Sequence, residues 1–557
     1  MSCDSRRARA WKALAATGRV TSRVDSADAE RLLRTAYLTG RAEGPSEGPL
    51  DEDYDRARTG ALMRRMQYLT GEVPAHGKDD PDLGVPVPVS GAARHGYAAS
   101  LDVLDQLEGT RPPTDPQVRL ALGQHRYPGA EVTVTDLPLN PEVQKVIDRF
   151  AARGMSARPA GGAVRDHELG KRAKDVDVEV YGGDEQKVRA VLAQCGPYEE
   201  VGKAFGVFKL PVAGEDEPLD VSMPRKDSKS GEGHKGVVVE VDGSMDPREA
   251  CKRRDLTFNA MLHDPEFGVT VDYFGGRRDL AEGRIRHVDE SFRDDPLRAQ
   301  RAARFAAVYD GRLEPETAQM CRSLKGEYRT LPEERIQGEW DKLVRGKAPQ
   351  SGIRALNDMG WDEFTPELAA HREQAQVSAG RAVAVADRAG LQGAARAQHV
   401  YSGICAPMGP EAGRRFLASV GETRMRDELT RKIVNVVREQ DVPRTSAMDD
   451  PQVRALARRL QPATVRDWAR HQETLGNAVG ARWAAKAETL GVSEAPEKRM
   501  VEGRDILPRV RKGVKPGPWT GQMVADAALA QENGEFRDRE GARVWIEGRL
   551  RAAGHLD

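Results

Sequence analysis

Aromatic residues make up only 5% of the 557 residues, and that scarcity is the first constraint on what the chain does. Few Phe, Tyr and Trp leave little material for a platform on which successive bases could stack. Cysteine is scarce as well: Cys3, Cys195, Cys251, Cys321 and Cys405 stand far apart, with no paired spacing. Such scatter argues against a disulfide framework or a zinc site and for a reducing compartment. No apolar run approaches the roughly 18 residues of a membrane span. The N-terminus carries no apolar signal core either, so the expectation is a cytoplasmic protein without a membrane partner. Nor does charge of one sign dominate, because 86 Lys+Arg against 87 Asp+Glu give a formal net charge of −1. Any nucleic-acid surface must come from local basic clusters. No feature specifies an oligomeric state.

What is present divides the chain. Its length implies several cores, roughly three to five domains. Residues 1–138 read as an N-terminal extension of unknown role. Within it, 6–38 is rich in Ala, Arg and Leu and reads as helical, while 44–91 is rich in Gly, Pro and Asp around a short helical candidate at 57–69. From 139 to 281 the pattern tightens. Val143, Val146, Ile147 and Phe150 recur at helical spacing. Residues 176–180, 205–211, 218–223 and 236–241 read as strands, with a helix at 186–192. Beyond 282 strand signals nearly vanish and helical periodicity takes over, for instance at 296–309, 333–344 and 522–531. The predicted class is α+β: a head with a mixed β-sheet and helices, then all-α segments at 282–350, 351–470 and 471–557.

Chemistry concentrates in a few places. Gly161-Gly162-Ala163-Val164-Arg165-Asp166 places a glycine turn before a helix start, where backbone N–H groups and the positive dipole end face anions. Arg165 adds a cation suited to a triphosphate. Lys174-Asp175-Val176-Asp177 follows, with two carboxylates one residue apart at the start of a predicted strand. Alternation along a strand puts Asp175 and Asp177 on one face. Their repulsion is relieved by a hard cation such as Mg²⁺, which keeps phosphates among its ligands. Asp220, in Leu219-Asp220-Val221, is a candidate third carboxylate on a neighbouring strand. In Arg253-Arg254-Asp255-Leu256-Thr257-Phe258-Asn259-Ala260-Met261, Arg254 suits a triphosphate, while Asp255 and Asn259 suit sugar, metal or backbone contacts. Asp294-Asp295-Pro296-Leu297-Arg298 opens a helix that continues to Arg301 and Arg304, a drifting arginine stripe.

These segments together resemble the class II branch of the tRNA nucleotidyltransferase (CCA-adding enzyme) and bacterial poly(A) polymerase superfamily. The Gly-Gly-x-Val-Arg-Asp turn and the Lys-Asp-x-Asp strand are both uninterrupted here. The resemblance implies a nucleotidyltransferase head in which Asp175 and Asp177 are catalytic and hold two Mg²⁺ ions, with Gly161, Gly162, Arg165 and Arg254 around the nucleotide. It implies that Asp295 and Arg298 select C or A, with Arg301 and Arg304 supporting them or reaching phosphate. Glu334 and Arg335, in Glu334-Arg335-Ile336, would brace that helix by ion pairing. Near the C-terminus, Arg511, Lys512 and Lys515 sit in a glycine-rich stretch that resembles the family's tail and would contact tRNA.

Departures bear on roles. Ala250 stands where the family often has an acidic residue, and Asp294 replaces the customary Glu. Some members carry a metal-dependent phosphohydrolase domain, but Val400 follows His399 where an Asp would be needed, and His371 alone does not complete a site. The expected function is addition or repair of the 3′-terminal CCA of tRNA from CTP and ATP, with release of pyrophosphate. Poly(A) polymerases share the head, and an inactive RNA-binding module is a further alternative. The five-residue linker between Val288 and Asp294 and the absence of a very basic C-terminus favour CCA addition.

Overall fold

The computed structural model describes residues 116–173, 175–201, 206–229, 237–421, 427–441 and 448–556. The expectations for 6–38 and 44–91 lie outside them. The described chain falls into two compact units, divided between Asp295 and Pro296.

The first unit is built on one sheet. Its strands are β1 (Glu131–Val134), β2 (Ser156–Ala160), β3 (Asp177–Tyr181), β4 (Glu199–Val201), β5 (Val207–Leu210) and β6 (Leu219–Ser222). A separate antiparallel pair, β7 (Arg225–Lys229) with β8 (Val237–Val241), precedes β9 (Leu262–Asp264) and β10 (Val269–Asp272). The eight-stranded sheet runs β1-β10-β9-β2-β3-β6-β5-β4. Only β3 and β6 are parallel among its pairs, which makes it the mixed sheet expected. On one face, Val178 and Val180 of β3 and Phe208 and Val221 pack against Val143, Val146, Ile147 and Phe150 of the helix Pro141–Ala151. The helical spacing of those four residues thus marked a core stripe. Asn140 caps that helix by accepting from the Glu142 backbone N–H at 2.9 Å.

The other face is polar and still buried. Asp264 accepts from the Tyr127 hydroxyl at 2.5 Å and from Arg126 at 2.9 Å, and the Arg158 guanidinium lies over the Tyr127 and Tyr181 rings at 5.2 and 4.8 Å. Burial alone would raise the Asp264 pKa, but Arg126 and Arg158 overcome it and bring the carboxyl down to about 2. Its folded pKa is depressed, so the stabilisation it adds is present above the unfolded carboxyl value near ~4 and is lost as pH falls through about 2. Asp264→Asn is expected to cost about 1–3 kcal/mol, because it removes one of the two carboxylates that Arg126 pairs with, Glu266 at 2.7 Å remaining. Urea unfolding at neutral pH measures this, and the gap between variant and wild type should narrow below pH 3.

In the second unit described residues form helices, apart from the two-residue strand Arg312–Leu313. The helix Leu297–Tyr309 packs against Glu333–Val344 and Pro349–Asp358. Further along, Trp468 and Trp483 meet at 5.5 Å in one core, and Ile506, Ile546 and Leu550 lie in another. His399 is buried with its Nε2 3.1 Å from the Thr474 hydroxyl, and burial lowers its pKa to about 4, leaving a neutral core histidine. His371 Nδ1 lies 3.1 Å from the Glu367 carbonyl. No described helix is long and apolar enough to cross a membrane.

Candidate active site

Gly161 sits between β2 and the helix Gly162–Glu168 with φ at +69°, a conformation that glycine adopts freely. A Cβ there would stand 2.6 Å from Arg254 Nη1. The turn therefore needs glycine twice over, for its backbone and for the close approach of Arg254. The helix that follows has seven residues.

Asp175 precedes β3 rather than lying on it, because the strand begins at Asp177. The alternation argument therefore covers Asp177 but not Asp175, which sits in a bend, where the ladder has not yet imposed its period. Even so, the two line one cleft of about 1090 Å³ with Gly162, Arg165 and Asp220. Asp220 stands beside Asp177 in the parallel β3–β6 register, the juxtaposition foreseen for a third carboxylate. Its Oδ1, however, is 2.9 Å from Lys209 Nζ, so a metal would have to share it with that lysine. Burial first, and then the charges of Asp220 and Asp175, hold the Asp177 pKa above the usual carboxylate range despite the opposing pull of Arg254.

The cleft carries seven carboxylates, four of them Glu215, Asp216, Glu217 and Asp166, against Arg165, Arg172 and Lys209. An anionic triphosphate entering such a surface needs accompanying cations. No three His, Cys, Asp or Glu side chains among the described residues are gathered into a ready-made metal cage. Mg²⁺ does not require one, since it typically uses one or two carboxylates and completes its shell with water and phosphate. Asp175 and Asp177 are hard oxygen donors of that kind, and they fit.

Arg165 lines the cleft but is tied on two sides, donating to Asp166 at 2.7 and 2.9 Å and to Asn259 Oδ1 at 2.8 Å. Asn259 in turn donates to Asp255 at 2.8 Å, so the three predicted residues form one relay. Arg254 lies 3.9 Å from Glu179, and Arg253 contacts the same carboxylate. Burial opposes the charge of Arg254, but Glu179 outweighs it and the pKa rises. Ala250 is fully buried in this segment, where an acid would meet the core.

Sequence reasoning missed Arg172, Lys209 and Glu179. The basic run Lys171-Arg172 ahead of Lys174 was a signal for the first. Lys209 is revealed only by its register opposite Asp220.

In the second unit, the arginine helix meets a buried carboxylate on the same helix that carries Glu334 and Arg335. Glu339 takes Arg304 at 2.7 Å and approaches Arg301 at 3.8 Å, while the Arg304 guanidinium also covers the Phe305 ring at 3.8 Å. Glu339 lies on the buried side of that helix with Ile336, Trp340 and Leu343, and Glu334 is exposed. Arg298 is half-buried in the first turn of Leu297–Tyr309, and Asp295 is the last residue of the first unit. Arg511, Lys512 and Lys515 are exposed on the segment before the helix Pro518–Glu532.

Residues 157–286 match the family model of the poly A polymerase head domain. Residues 312–371 match that of a probable RNA- and SrmB-binding site of polymerase A. The multifunctional CCA protein of Xanthomonas campestris pv. campestris is 38% identical over 205 residues, 36% of this chain and 48% of the relative. That of Neisseria gonorrhoeae is 40% identical over 205 residues, 36% of this chain and 47% of the relative. The chain thus spans about half the length of these curated relatives. Among solved structures, the Bacillus stearothermophilus CCA-adding enzyme in complex with CTP aligns with a TM-score of 0.57 at 24% identity, over 75% of this chain and 99% of that one. That likeness establishes the fold.

Proposed function

We propose, from a head and neck that belong to the class II tRNA nucleotidyltransferase and poly(A) polymerase family, that this chain is a cytoplasmic enzyme that builds or repairs the 3′-terminal CCA of tRNA. The observation that carries the reading is Asp175 and Asp177 in one cleft with the Gly161-Gly162 turn. The curated relatives called multifunctional CCA proteins are 38–40% identical over 205 residues.

In the proposed reaction the 3′-hydroxyl of tRNA attacks the α-phosphorus of CTP or ATP and pyrophosphate leaves. Two Mg²⁺ ions at Asp175 and Asp177 would activate that hydroxyl and stabilise the departing pyrophosphate. The chain's own groups position the triphosphate. The Gly161-Gly162 backbone allows close approach, Arg254 supplies a cation already seated, and Arg165, Arg172 and Lys209 meet the phosphates from the cleft wall. Asp220 stays with Lys209 unless a metal displaces it. Asp255 and Asn259 hold Arg165 in place.

Asp295 and Arg298 are proposed to choose C or A by presenting an acceptor and a donor to the base, with Arg301 and Arg304 braced by Glu339. Arg511, Lys512 and Lys515 are proposed to meet tRNA phosphates.

Purified protein, tRNA lacking its 3′ end, Mg²⁺ and each labelled nucleotide test this directly. Addition that stops after C, C and A supports CCA synthesis. Long A tails assign the chain to poly(A) polymerases, and no incorporation assigns it to RNA-binding modules. Arg298→Ala is expected to cut the preference for CTP and ATP over UTP and GTP by roughly tenfold to a hundredfold, the worth of one bidentate base contact. Unchanged selectivity in single-nucleotide competition would remove Arg298 from that role.

A further inference from the structure

Asp177 has a neighbour that the proposed reaction does not use. Glu179 lies two residues along β3 and so on the same face, roughly 7 Å further along the strand. Only 1% of it is exposed. Both its oxygens are engaged: Arg253 contacts Oε1, the Tyr181 hydroxyl donates to Oε2 at 2.7 Å, and Arg254 Nη2 lies 3.9 Å from Oε2. Arg254 Nη1 is directed to the Asn259 carbonyl at 3.4 Å, above the bare Cα of Gly161.

Two carboxylates on one strand face therefore stand within the field of a single guanidinium, and only one of them holds it. Among the described residues Arg254 makes an ion pair with Glu179 and none with Asp177. The physical reason is solvation. Glu179 is sealed from water, so its attraction for a cation is little screened, whereas Asp177 opens on the cleft. An arginine seated on Asp177 would neutralise the charge that a divalent cation needs.

We infer that Glu179 is a positioning residue that holds Arg254 off Asp177, keeping that carboxylate free for metal while leaving the guanidinium at the glycine turn. The inference deepens the proposed function, and it rests on the reading of Asp177 as a metal ligand. It also gives a role to the half-buried Arg253, which engages the second oxygen of Glu179 and restricts that carboxylate's rotation.

The test is Mn²⁺ binding to the full chain, without nucleotide, followed by electron paramagnetic resonance, with CTP kinetics alongside. Glu179→Gln is expected to weaken Mn²⁺ binding by about tenfold or more, because the released arginine turns to Asp177 at short range. Adding Arg254→Met to Glu179→Gln should return Mn²⁺ affinity to within about twofold of wild type, since the competing charge is gone. The KM for CTP should stay raised in that double variant, a split that a general loss of structure would not produce. Wild-type Mn²⁺ affinity in Glu179→Gln would overturn the inference while leaving the proposed reaction intact. So would a double variant that still binds Mn²⁺ weakly, and this arm decides the matter if the single variant does not fold. A wild-type protein that binds no Mn²⁺, or binds it unchanged in Asp177→Ala, would overturn the inference and the metal reading together.

Discussion

Asp177→Ala is expected to reduce nucleotide incorporation by about a thousandfold or more, since metal stabilisation of the developing charge is worth several kcal/mol. The loss should come without loss of fold. Asp177 is burdened in the free protein: burial and the neighbouring charges of Asp220 and Asp175 hold its pKa up. Removing it relieves repulsion, so thermal stability should hold or rise slightly while activity collapses. Affinity for tRNA, measured by filter binding, should change little. Retained turnover would mean that the metal site has been misplaced. The raised pKa also gives a direction for pH: ionised Asp177 is the form that takes metal, so activity should fall on acidification earlier than an ordinary aspartate would dictate, and higher Mg²⁺ should recover part of it.

Gly161→Ala is the second large effect expected, and it arises from backbone geometry rather than charge. At φ +69° an alanine is strained by about 1–2 kcal/mol. Its Cβ would stand 2.6 Å from Arg254 Nη1, which must then retreat. Misplacing a triphosphate-binding group by about 1 Å can cost roughly a hundredfold, so kcat/KM for CTP and ATP should fall by about that factor. Gly162 is the internal control. A Cβ on it meets nothing closer than Arg165 Nη2 at 3.7 Å, and its φ is not positive. Gly162→Ala should therefore be several-fold milder, and equal losses in the two variants would show that Arg254 packing is not the cause.

Much of the head was legible from the chain because its chemistry is local. A turn that needs φ above zero demands glycine, and carboxylates beside it are adjacent in sequence. The Val143–Phe150 stripe reported its buried face correctly. The burial of polar positions was not legible: in Asp177-Val178-Glu179-Val180-Tyr181, Glu179 and Tyr181 are buried beside Arg253 and Arg158. Nor does the sequence single out Glu339 as the buried carboxylate that meets Arg304.

The amino-acid sequence by itself determined the α+β head, the helical remainder and the Asp175/Asp177 pair, since periodicity, turn stereochemistry and carboxylate spacing act over a few residues. Which carboxylate each cation serves was settled only in three dimensions. Lys209 meets Asp220, Arg253 and Arg254 meet Glu179, and Arg304 meets Glu339, all through strand register or helix packing. Those pairings depend on burial and through-space distance, and neither is encoded within any short stretch of chain.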